Sequence, residues 1–143
     1  FCAKKRTKVA NIPTPLCKAL YFFRRRVMIN RAALIFKYKK PAVQWINEAD
    51  PINDNPGITL ESVNQDRTVY LLREDIAEDP SLLEDWIKMN LDVLFPSELE
   101  GWYPDEKLWP KRRDYKLFKK WFEVEFHSVL VDTVGEPIED DEI

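Results

Sequence analysis

Regular alternation of apolar and polar residues first appears in "AALIFKYK" (32–39), with Leu34, Phe36 and Tyr38 on one side and Ile35, Lys37 and Lys39 on the other. A period of two predicts a strand. The period then changes. In "KKPAVQWINEAD" (39–50), Ala42, Trp45, Ile46 and Ala49 recur at helical spacing, Pro41 suits a first turn and Pro51 ends the run, so a helix is predicted. After the turn-rich "DPINDNPG", the segments "ITLESV" (58–63) and "TVYLLRE" (68–74) alternate and are joined by the polar link "NQDR". Together they predict a hairpin.

The next stretch, "EDPSLLEDWIKMNLDVLFP" (78–96), is helical in pattern. Asp79 is placed to cap it, Pro80 takes its first position, and Leu83, Trp86, Ile87, Leu91 and Leu94 form its stripe. Pro96 is expected to stop it. "SELEGWYPDEKLWP" (97–110) holds two of the five tryptophans without a sustained period and reads as a packed connection. "KRRDYKLFKKW" (111–121) predicts a short helix with Leu117, Phe118 and Trp121 inward, and "FEVEFHSVLVDTV" (122–134) a final strand. The order is that of an α+β, ferredoxin-like β-α-β-β-α-β sandwich, with an extra aromatic-rich insertion and short helix before the last strand. Such a fold hosts many unrelated functions, so activity has to be argued from sites.

Charge divides the chain. Residues 1–27 carry eight bases and no acid, whereas the remaining 116 residues carry 14 bases against all 25 acids, a net of −11. The break predicts a basic N-terminal extension at 1–27 outside the fold, with Met28 as the expected start. A presequence and a phosphate- or membrane-binding arm are the other readings of that segment. A single domain is expected over 28–135, followed by an acidic disordered tail at 136–143. Both cysteines, Cys2 and Cys17, fall in the extension, so the folded part has no disulfide framework or thiolate metal site. A cytoplasmic setting fits that usage. No apolar run approaches the ~20 residues of a membrane helix.

The usual catalytic parts are few. The three glycines, Gly57, Gly101 and Gly135, are too far apart for a phosphate-cradling loop, and there is one histidine. Neither a cofactor nor a bound metal is expected. One constellation could carry chemistry: Glu123, Glu125 and His127 share a strand face, where carboxylates beside an imidazole could pair a base with an acid. The same three could instead be the solvent side of a strand whose core side is Phe122, Val124 and Phe126.

Two further features suit contacts. Arg112, Arg113 and Lys116 belong to a run of six bases, Lys111 to Lys120, interrupted by one acid, Asp114. The run suits an anionic protein partner or a solvated face better than nucleic acid, which the net charge repels. Trp102, Tyr103 and Trp109 are large anchors that fit either a lid on the core or a binding surface. The expected function is that of a small acidic module acting by protein contacts, either self-association or an inhibitor- or immunity-type role. The rival is a small enzyme or ligand-binding domain built on Glu123, Glu125 and His127.

Overall fold

The computed structural model describes residues 27–52 and 57–141, so all but the last residue of the 1–27 extension lies outside the described part. The regular elements run β1 (Val27–Met28), β2 (Arg31–Tyr38), α1 (Lys40–Glu48), α2 (Leu60–Val63), β3 (Val69–Arg73), α3 (Pro80–Met89), α4 (Leu91–Glu100), α5 (Tyr115–Trp121), β4 (Phe122–His127) and β5 (Val131–Asp132). Short 3-10 turns occupy Glu74–Ala77 and Glu106–Leu108. The described residues divide into two units, Arg31–Ser128 and a smaller one made of residues 27–30 and 129–141. In the smaller unit β1 pairs antiparallel with β5, and Ile29 N donates to Leu130 O at 3.1 Å. Residues 136–141 are exposed and without helix or strand.

The larger unit is a mixed α+β structure around a three-stranded antiparallel sheet of order β3-β2-β4. β2 lies in the middle because its Ala32, Leu34, Phe36 and Tyr38 are all buried, as the alternation requires. The register sets Tyr70 and Phe126 on either side of Leu34, and Phe122 beside Tyr38, so these residues share the inner face. Rings fill the core below it. Phe36 meets Phe118 edge-on at 4.9 Å, and Phe95 lies 5.7 Å from Phe118 and 5.8 Å from Phe122. α1 adds Ala42, Val43 and Ile46, and its half-buried Trp45 packs on Trp121 at 5.2 Å.

Among the described residues the β-α-β-β-α-β order is not found, because the expected strand at 58–63 is a helical turn. Thr59 and Ser62 form a reciprocal capping box: Thr59 Oγ1 accepts from Ser62 N, and Ser62 Oγ accepts from Thr59 N, both at 3.0 Å. That local chemistry outweighs six residues of alternation. The hydrogen bonds a strand would have made go elsewhere. Asn64 Oδ1 accepts from Tyr38 N at 2.8 Å and its Nδ2 donates to Tyr38 O at 3.1 Å, so one side-chain amide serves as the neighbour of the end of β2. Asn47 does the same for Ile58, at 2.7 and 2.9 Å.

Four other boundaries differ from expectation. The helix predicted over 78–96 is two helices: Asp79 caps α3 through Ser81 N as predicted, but Asn90 breaks the run, its Nδ2 bonding Trp86 O at 2.8 Å. Pro96 does not stop α4; it sits inside it. Proline there forfeits one backbone bond, and burial of Leu94, Phe95, Glu98 and Leu99 on that helix offsets the loss. α5 begins only at Tyr115, where Asp114 accepts from Leu117 N at 2.9 Å. The predicted strand over 122–134 ends at His127, and its later part forms β5 in the other unit.

Candidate functional site

The outer face of the sheet carries the histidine constellation. Glu125 sits on β4 opposite Ile35, with Glu123 opposite Lys37 and His127 opposite Ala33. Arg67 reaches over from the loop before β3. Its Nη1 donates to Glu125 Oε2 at 2.7 Å, while His127 Nε2 lies 3.0 Å from Oε1. The hydrogen bond from His127, and then that from Arg67, hold the Glu125 carboxyl below the usual carboxylate range. Both oxygens of Glu125 are therefore engaged, on a partly exposed surface. Glu123 is exposed two residues along. Among the described residues, no group of three His, Cys, Asp or Glu side chains is placed to hold a metal ion.

The strands at the two edges of this sheet differ. β4 presents Glu123, Glu125 and His127 on its outer face. β3 presents Val69 and Leu71, 50% and 48% exposed, with Arg73 at its end. Among the described residues no strand pairs with the far side of β3. Charges along a sheet edge resist unwanted strand pairing; bare apolar residues invite it.

The residues of the 97–121 segment divide between core and surface. Tyr103 and Trp109 are buried. The Tyr103 hydroxyl donates to Ile46 O, and Trp109 Nε1 donates to Tyr103 O at 2.6 Å, so their polar atoms are used inside the fold. Trp102 is half-buried, with Nε1 donating to Tyr38 Oη at 3.1 Å. Arg112, Arg113 and Lys116 are exposed. Arg113 lies over the Trp109 ring at 5.6 Å, and Arg112 Nε pairs with Asp114 at 2.6 Å.

A buried polar cluster that the sequence reading did not single out lies at the inner face. Glu98 of α4 is only 7% exposed, and its two oxygens accept from Tyr38 Oη and Tyr70 Oη, each at 2.6 Å. Ser97 Oγ is 3.2 Å from Tyr70 Oη. Burial raises the Glu98 pKa, partly offset by the two hydrogen bonds it receives. Burial, and then the nearby Glu98, push the Tyr38 and Tyr70 hydroxyls far above the ordinary tyrosine range. A cavity of about 180 Å³ opens beside the cluster, lined by Tyr38, Arg67, Thr68, Ser97, Glu98 and Trp102 among others. With both oxygens saturated by tyrosines, Glu98 ties α4 to two strands. A signal for it was present in the sequence: Leu91, Leu94, Phe95, Glu98 and Leu99 follow one helical stripe, with a carboxylate at an apolar position. Buried tyrosines need acceptors, and this is theirs.

Among the described residues, no helix is long and apolar enough to cross a membrane. Comparison of the chain with family models, with curated proteins and with solved structures gave no match.

Proposed function

We propose that the protein is a binding module that acts by protein contacts made at the outer face and open edge of β3, and that a second copy of the chain is the occupant of that edge. The observation that carries this reading is the exposure of Val69 and Leu71 on a strand that has one partner among the described residues. Main-chain groups along such an edge supply affinity, and alternate side chains supply fit. Antiparallel pairing of β3 with its own copy about a two-fold axis at Leu71 sets Leu71 against Leu71 and Val69 against Arg73. Two three-stranded sheets then join into one, with the apolar residues of both copies on a shared face, and no like charges meet directly. The alternative, an enzyme built on Glu123, Glu125 and His127, has less support, since those groups lie on partly or fully exposed strand surface and Glu125 is already engaged by Arg67 and His127.

Sedimentation equilibrium of the full chain tests the proposal. The wild type should dimerise with a Kd in the micromolar range, about −8 kcal/mol. Leu71→Lys should be monomeric, and Glu123→Lys, on the other edge, should still dimerise. A wild type that stays monomeric well above that concentration, or a Leu71→Lys variant that dimerises normally, would overturn it.

A further inference from the structure

The basic run between Trp109 and Trp121 forms a second surface, independent of the sheet edge. Its bases come to line two shallow depressions. On the approach to α5, Lys111 and Arg113 fall to one depression and Arg112 to the other. Lys111 and Arg113 border a depression of about 300 Å³ together with Leu91, Asp92 and Pro96. Arg112 borders one of about 260 Å³ together with Asp114, Lys116, Leu117 and Lys120, where the helical spacing of Lys116 and Lys120 puts them on the same face. Each depression thus combines cations with an apolar wall, Leu91 and Pro96 in one and Leu117 in the other. Lys111, Lys116 and Lys120 form no ion pair among the described residues; the acids at the two sites are Asp92 and Asp114, and Asp114 is occupied by Arg112 and by the cap of α5.

We infer that this surface binds an acidic polypeptide segment with apolar residues interspersed among its carboxylates. Carboxylates meet the Lys and Arg groups, and the apolar side chains lie against Leu117 and against Leu91 with Pro96. Charge complementarity supports the assignment: a concentrated positive face on a chain that is net −11 after residue 27 selects a short anionic segment, because the rest of the molecule repels an extended polyanion. The rings that nucleic acid would need for stacking are spoken for. Trp109 and Trp121 are buried, and Tyr115 is half-buried with the Lys88 and Lys119 ammonium groups 5.0 and 5.7 Å from its ring centre.

The test is fluorescence anisotropy of the full chain with three labelled probes of matched net charge: a peptide alternating Glu with Leu, polyglutamate, and single-stranded DNA. The Glu/Leu peptide should bind tightest, with an affinity that falls as salt is raised. The double variant Lys116→Glu, Lys120→Glu should weaken it by about tenfold or more, while Lys107→Glu, an exposed base outside both depressions, should leave it unchanged. Both altered positions are exposed, and an unchanged thermal transition verifies that the double variant folds; if it does not, Lys111→Glu at the other depression gives the same reading. DNA binding as tight as the Glu/Leu peptide would overturn the inference in favour of a nucleic-acid surface. Equal binding of polyglutamate would remove the apolar half of the recognition and overturn it as stated. Absence of saturable binding, or binding indifferent to charge reversal, would mean a solvated face.

Discussion

Glu98 gives the sharpest test of the fold, because its removal and its neutralisation have different consequences. Its carboxylate is 7% exposed and takes a 2.6 Å hydrogen bond from each of Tyr38 and Tyr70. Glu98→Ala leaves two tyrosine hydroxyls without their acceptor. The buried Tyr38 hydroxyl is left unsatisfied at roughly 1–3 kcal/mol and half-buried Tyr70 keeps only Ser97 Oγ, so the loss should be about 2–4 kcal/mol, a large share of a typical domain's stability. Glu98→Gln keeps the shape and one acceptor oxygen, and Tyr70 can turn to Ser97 Oγ, 3.2 Å away. It also removes the desolvation of a charge, so its loss should be smaller, about 0–2 kcal/mol. The pH dependence separates the two effects further. Burial raises the Glu98 pKa, so the folded chain holds this proton more tightly than the unfolded chain does. Between the two titrations the folded state binds more protons, and stability falls as pH rises. The Gln side chain does not titrate. Wild-type stability measured against Glu98→Gln should therefore be most favourable at the acid end and decline as pH climbs from about 4, the ordinary carboxylate range, through the raised folded value. Urea midpoints followed by tryptophan fluorescence across that range, with the slope of each transition checked for constancy, supply the measurement. Parallel curves, or a wild-type advantage that grows with pH, would refute the reasoning.

Two simpler perturbations probe the core and one cap. Phe118, fully buried between Phe36, Phe95 and Phe122, should lose about 3–5 kcal/mol on replacement by Ala, and more than Trp86→Ala, since Trp86 is only half-buried while Ile87 beside it is enclosed; denaturant midpoints of the two variants decide the order. Thr59→Ala removes the cap of α2 from an exposed position and should lower stability by about 1 kcal/mol, with no change if the turn is held by Asn47 and Asn64 alone, which calorimetry of the variant will show.

Elements with a long, uniform period were legible in the sequence. β2, α1 and the start of α3 followed from alternation, from helical spacing and from Asp79 with Pro80, because those signals act between neighbours in the chain. The exposed bases of 111–120 and the shared face of Glu123, Glu125 and His127 were legible for the same reason. Shorter patterns were decided by other contacts. At 58–63 a capping box and the side chains of Asn47 and Asn64, reaching 11 and 26 residues along the chain, replaced a strand whose alternation was too brief to prevail. Pro96 marked a helix end by its own chemistry, yet burial of Leu94, Phe95 and Leu99 carried α4 through it. Within the predicted stripe of α3, Ile87 is enclosed while Leu83 and Trp86 are half-buried, because rotation of a helix about its axis is fixed by what it packs against. The Glu98 cluster needed all of this. Its three members come from β2, β3 and α4, 60 and 28 residues apart, and only the register of the sheet and the seating of α4 bring two hydroxyls onto one carboxylate. Periodicity specifies which face of an element is apolar; where that face meets a polar group from a distant part of the chain depends on packing among elements, which no local pattern encodes.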